Sequence, residues 1–266
     1  MSDIIKLTIE GPIATLTLTR PDMLNALGQA GDGAEIEAAC AEIEANQAIR
    51  CTILTGEGRA FSAGGDVKAM KARSGAFGGS PQDVRQGYRR NIHRIVNALY
   101  NLETPLISAV NGPAIGLGCD VACMADIRIA SEKAKFGVTF LKLGLIPGDG
   151  GAWLLPRLIG ASRAAELLFT GDVIDAATAQ EWGLVSRVVA HDSLMDETRA
   201  LAERIAAQPP QSLRLAKTLM RKGATTDYAT IMELSAASQA LMHFTDDHME
   251  GVDAILEKRS PDFKGR

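Results

Sequence analysis

Two segments of the chain share one plan, and that plan constrains the fold more than any other feature. Each is a short apolar run with strand character, then a turn of small residues, then a helical pattern. The first is 51–55, followed by Gly56 to Gly65 and a helix from Val67. The second is 106–110, followed by Asn111 to Gly118 and a helix holding Cys119 to Met124. Strands that alternate with helices predict parallel βαβ units and an α/β fold. A glycine-rich turn also lets backbone come close to a ligand. A helix start leaves N–H donors unpaired at the positive end of the helix dipole. Two such ends converging on one point would form an oxyanion hole. Ordinary strand–helix turns favour glycine too, so neither loop alone identifies an activity.

The remaining patterns extend this plan. Residues 4–9 and 13–19 alternate around Glu10-Gly11 and predict a β-hairpin ended by Pro21-Asp22. From 24 to about 45, Ile36, Ala39, Cys40 and Ile43 have helical spacing. Residues 73–81 form a Gly/Ser-rich loop, 82–101 read as helix and 127–130 as strand. After Val189 strand signals cease. Residues 192–207, 211–223, 227–243 and 246–258 read as helices, punctuated by Pro209-Pro210. The expected organisation is an α/β core over 1–190 and a helical region over 191–266.

Charge and cysteine usage narrow the function classes. The 266 residues are 46% hydrophobic, enough for a large core. With 28 basic and 32 acidic residues the net charge is −4, which argues against nucleic acid or an anionic membrane as partner. Lys133, Lys135 and Lys142 read as a solvated face. Cys40, Cys51, Cys119 and Cys123 contain no C-x-x-C pair and histidines are scattered, so no metal site is expected. Four reduced thiols fit a cytoplasmic protein. Met1-Ser2-Asp3 begins no signal peptide, and no apolar run is long enough to span a membrane.

In collinear order the segments resemble the enoyl-CoA hydratase/isomerase (crotonase) superfamily over nearly the whole chain. The resemblance is carried by Arg20-Pro21-Asp22-Met23-Leu24-Asn25-Ala26-Leu27, by Gly58 through Val67, and by Thr104 through Asp120. Ala125 through Ala130, Leu143 through Gly151, Leu168 through Gly171, and Lys258 through Lys264 complete it. It implies a spiral of ββα units with a helical C-terminal trimerisation region, and a homotrimer or dimer of trimers. It also implies an acyl-CoA substrate and no cofactor beyond the coenzyme A that the substrate carries. The backbone N–H groups of Gly65 and Leu117 match the oxyanion-hole donors; many relatives have glycine at the second position. Asn25-Ala26 and Ala60 through Ala63 match segments lining the coenzyme A channel, with Gly64, Asp66, Val67 and Phe140 beside the thioester. Phe263 and Lys264 match a tail that reaches the nucleotide end of coenzyme A, often from a neighbouring subunit. Independently of the name, proton abstraction beside a thioester puts charge on its oxygen, and one fixed donor aimed there contributes roughly 3–4 kcal/mol.

The acids depart from the two-glutamate hydratase pattern. The matching positions are Asp120 and Phe140, so the first acid loses one methylene, about 1.3–1.5 Å of reach, and the second is missing. Asp120 is expected either to face the thioester or to be a buried acid paired with an arginine or a backbone amide. Asp149 either caps the helix after it or works as the base, as an Asp in this turn does in related isomerases. There the Asp directly follows the proline, whereas here Gly148 intervenes. Asp66 is expected to cap the helix from Val67, and His93 and His243 have no motif support. Phe77, Phe140, Leu141 and Trp153 are candidates for lining the acyl pocket. Three readings stay open: an acyl-CoA isomerase or hydratase, another crotonase reaction such as thioester hydrolysis or C–C cleavage, and a coenzyme A-binding or RNA-binding relative without activity.

Overall fold

The computed structural model describes residues 4–266; the expectation for Met1-Ser2-Asp3 lies outside them. Its strands are β1 (Ile5–Glu10), β2 (Ile13–Leu18), β3 (Cys51–Gly56), β4 (Leu106–Val110), β5 (Pro113–Ile115), β6 (Ile127–Ser131), β7 (Lys135–Gly137), β8 (Val173–Asp175) and β9 (Arg187–Val189). Six of them form one sheet in the order β1-β2-β3-β4-β6-β9. The first pair is the expected antiparallel hairpin, and every later pair is parallel.

The continuous apolar character of β3 and β4 follows from burial on both faces, as parallel strands require. Successive side chains point to opposite faces. Ile53, Ile107, Ala109 and Ile129 therefore pack under Leu194, Ala202 and Ala206 of the Leu194–Ala206 helix. Leu54, Leu106 and Val110 point the other way, into the main core with Phe61, Val121 and Phe136. A buried Leu, Ile or Phe contributes about 1.5–3 kcal/mol.

β5, β7 and β8 form a second, three-stranded sheet that the sequence patterns do not reveal. Strands this short show too little alternation to detect. β4 then β5, and β6 then β7, step from the large sheet to the small one. The first loop joins the same arrangement through a parallel bridge between Ser62 and Ala114.

Two helical expectations are corrected. The helix read from 24 begins only at Asp32. Leu24 and Asn25 have φ of 53° and 55°, and Asn25 accepts from Arg20 N–H while donating to Glu57 and Ala60. These local bonds replace helical ones. The helix over 82–101 is interrupted: Pro81–Gly87 and His93–Asn101 flank a π-helical turn, Tyr88–Ile92. Beyond β9 the helices Leu194–Ala206, Pro210–Gly223, Tyr228–His243 and Asp246–Glu257 match the expected order. No helix among the described residues is long and apolar enough to cross a membrane.

Candidate active site

The two glycine-rich turns meet at the C-terminal ends of β3 and β4. Ser62 N–H donates to Pro113 O at 3.1 Å, and Ile115 N–H donates to Ser62 O at 2.9 Å. Asn111 Nδ2 reaches Gly58 O at 2.9 Å. Buried Asn25 ties Glu57 and Ala60, each at 2.9 Å, and Ser62 Oγ donates back to Asn25 O at 2.8 Å. Glycine is needed at the junction. A Cβ on Gly64, whose φ is +89°, would lie 2.4 Å from Ile115 O and 3.2 Å from Leu117 N; one on Gly118 would lie 2.3 Å from Ser62 O.

Neither Gly65 N–H nor Leu117 N–H donates a hydrogen bond among the described residues. Leu117 opens the Leu117–Met124 helix, so its N–H points out of the helix start. Asp66 does what was expected, capping Val67–Ala72 through Ala69 N–H at 3.0 Å. Val67 is exposed at the loop's edge, whereas Ala26 and Ala60 are buried, and Ala63 N–H donates to Leu24 O at 2.8 Å. Asn25 and Ala60 thus serve here as struts of the loop.

Phe263 and Lys264 are not brought to this site by their own chain. Phe263 O accepts from Arg50 Nη2 at 2.7 Å, and Lys264 N–H donates to Asp247 Oδ1 at 2.6 Å. Arg50 precedes β3, while the Gly65 loop follows it. At about 3.3 Å per residue, six residues of strand put these features roughly 20 Å apart.

The acids are brought together. Asp120 is fully buried and its Oδ2 accepts from Gly151 N–H at 3.1 Å; this is the backbone-amide pairing, one of its two expected roles. Asp149 does not cap the Gly151–Ile159 helix, which corrects that alternative: the cap residue is Gly150, at φ 115°, and Asp120 supplies the acceptor from a neighbouring helix. Oδ1 of Asp120 and Oδ1 of Asp149 are both buried without a hydrogen-bond partner.

Burial acts on both acids. It holds the Asp120 carboxyl well above its ordinary range, with further repulsion from Cys123 and Asp149 and partial relief from Gly151 N–H. It pushes Asp149 up to about 6, opposed by His93. Asp120 is therefore neutral near pH 7, while Asp149 exchanges its proton close to neutrality.

Asp149 lines a cavity of about 350 Å3 with His93, Asn97, Tyr100, Met124 and Trp153 among its walls. Of the expected acyl-pocket residues, Trp153 borders this cavity, standing edge-on to Tyr100 at 5.8 Å under Arg157 at 4.0 Å. Phe140 is buried and its ring lies 3.9 Å from where a Cβ on Gly116 would be. Phe77 packs beside Tyr88 instead, and Leu141 is exposed. His93, given no role from sequence, has Nε2 3.0 Å from Gly148 O. No sequence signal links these residues, which are 55 positions apart. No group of three or more His, Cys, Asp or Glu among the described residues is arranged to hold a metal ion.

The family model described as enoyl-CoA hydratase/isomerase matches residues 8–266. The 1,2-epoxyphenylacetyl-CoA isomerase of Escherichia coli K12 is 38% identical over 266 residues, covering 100% of both chains. The crotonyl-CoA hydratase of Syntrophomonas wolfei is 38% identical, covering 96% of this chain and 95% of its own. Among solved structures, an enoyl-CoA hydratase from Bacillus anthracis superposes with a TM-score of 0.92 at 34% identity, covering 99% of this chain and 100% of that one.

Proposed function

The chain belongs to the enoyl-CoA hydratase/isomerase family and has the crotonase fold, and on that premise we propose that it shifts a double bond in an enoyl-CoA thioester, with Asp149 carrying the proton. The Asp149 carboxylate removes a proton from the carbon between the thioester and a 3,4-double bond. The electron pair moves onto the thioester oxygen, where the N–H groups of Gly65 and Leu117 hold the dienolate. The neutral acid then returns the proton to the far carbon, giving the conjugated 2-enoyl product. Asp120 stays neutral and anchors the turn.

The carrying observation is Asp149 Oδ1, buried and unpartnered on the wall of a cavity, on an acid that titrates at about 6. A group poised near the operating pH suits a proton shuttled both ways. The apolar Phe140 at the second glutamate's position favours one-acid isomerisation over hydration.

The same reading uses no cofactor beyond the substrate's coenzyme A. It makes residues 191–266 an oligomerisation and coenzyme A-contact region of a homotrimer or dimer of trimers. The exposed Leu241, Phe244, Ile255 and Leu256 support that assembly, and Phe263 and Lys264 would serve a neighbouring copy's coenzyme A. Four free, buried cysteines accord with a reducing, cytoplasmic setting.

The test is incubation with trans-3-hexenoyl-CoA and with trans-2-hexenoyl-CoA, with the absorbance of the conjugated thioester as readout. Isomerisation raises it from the first substrate, and Asp149→Asn abolishes the rise. Release of free coenzyme A thiol without isomerisation would favour the hydrolytic alternative. Full activity in Asp149→Asn would refute the assignment of the base.

A further inference from the structure

We infer that His93 is a positioning residue for Asp149: its ring holds the peptide that leads into Asp149 and presents the one cationic partner to its carboxylate, a role that rests on the reading of Asp149 as proton carrier.

The turn needs holding. Asp149 lies between Gly148 and the pair Gly150-Gly151, and glycine loses more freedom on ordering than any other residue. Two bonds from outside clamp the turn. On one side of Asp149, His93 Nε2 meets Gly148 O at 3.0 Å; on the other, Gly151 N–H meets Asp120 Oδ2 at 3.1 Å. The backbone is pinned on both flanks while Asp149 Oδ1 remains unpartnered.

Donor chemistry fixes the tautomer. A carbonyl only accepts, so Nε2 carries the hydrogen and Nδ1 is the nitrogen that titrates. The ring is braced edge-on by Tyr88 at 6.0 Å, itself edge-on to Phe77 at 6.2 Å. The π turn Tyr88–Ile92 immediately precedes His93. One extra residue in a helical turn rotates the next turn by about 100°, and this rotation aims His93 at the Gly148 carbonyl rather than along the face the preceding helix would give it.

The surroundings make His93 the only positive neighbour among the described residues. The groups facing Asp149 are His93 and Tyr100 from the His93–Asn101 helix, Asp120 from the Leu117–Met124 helix and Tyr88 from the π turn. Burial, with Asp149 second, keeps the Tyr88 hydroxyl protonated, and burial keeps Asp120 neutral. Arg85 and Arg89 border a separate cavity that shares His93 and Gly148 but not Asp149. A cationic His93 lowers the pH at which Asp149 ionises.

The test compares His93→Gln, which keeps an N–H donor without charge, with His93→Phe, which keeps a flat ring without a donor. Circular dichroism confirms folding. The free protein's Asp149 carboxyl is titrated by 13C NMR, and turnover of trans-3-hexenoyl-CoA is measured across pH. In His93→Gln the Asp149 midpoint and the acidic limb of kcat move to higher pH, with plateau kcat within about threefold of wild type. In His93→Phe plateau kcat falls about tenfold or more with KM little changed, the signature of lost geometry rather than lost binding. An unmoved Asp149 midpoint in both variants overturns the inference, as does an equal loss of kcat in both. If Asp149→Asn is inactive while both His93 variants behave as wild type, only the positioning role fails. If Asp149→Asn is fully active, the reading of the site fails first.

Discussion

Asp120 caps the helix that comes after Asp149, with Gly151 N–H donating to its Oδ2 at 3.1 Å from 31 residues away. Because Asp120 is neutral in place, an amide substitutes for it well. Asp120→Asn is expected to change unfolding free energy by less than about 1 kcal/mol in urea titration. Asp120→Ala removes the acceptor of a buried N–H and is expected to cost about 2–3 kcal/mol. If Asp120→Asn instead lost activity as completely as Asp149→Asn, the anchoring role would be insufficient.

Asp149→Asn removes the group that moves the proton. Its kcat should fall about 10²–10⁴-fold, with acyl-CoA affinity by calorimetry within a few-fold of wild type. Loss of binding rather than of turnover would point to a structural role.

The same substitution should stabilise the fold at alkaline pH. The folded Asp149 titrates at about 6 against an ordinary 3.8, because burial disfavours the carboxylate. A raised acid contributes stability that is fully present below 3.8 and is lost as pH rises through about 6. The loss is at most roughly 3 kcal/mol. Asp149→Asn carries no such titration, so its Tm should exceed that of wild type at pH 8 by more than at pH 4. Equal differences at both pH values would contradict the burial effect.

Gly64→Ala should break the junction between the two turns. The added Cβ meets Ile115 O at 2.4 Å in a conformation with φ +89°, so either the loop moves or the fold weakens by more than about 1–2 kcal/mol. Isothermal calorimetry with acyl-CoA should show lost affinity, and thermal melting a lower Tm.

Phe244 is 93% exposed in the single chain. In the proposed trimer it lies in an interface, so Phe244→Glu should shift the mass measured by light scattering toward monomer. An unchanged trimer would exclude that surface.

Much of this fold is legible in local pattern. The apolar runs of β3 and β4, the glycine-rich turns after them, the Asp66 cap and the C-terminal helices are all decided by neighbours in sequence. The second sheet is not, because three residues of β5, β7 or β8 carry no period. Residues 24–31 carry helical spacing yet are held out of a helix by Asn25 bonding to Glu57 and Ala60.

The sequence alone determined where backbone donors can be left free, since glycine tolerance and helix starts are properties of a few adjacent residues. It named Asp120 and Asp149 as acids without ranking them. Only the tertiary structure separated them, committing one carboxylate to Gly151 and leaving the other in a cavity beside His93. That decision rests on burial and on partners 31 and 55 positions away. The charge of a carboxyl depends on the solvent and dipoles around it, and those come from the packed fold.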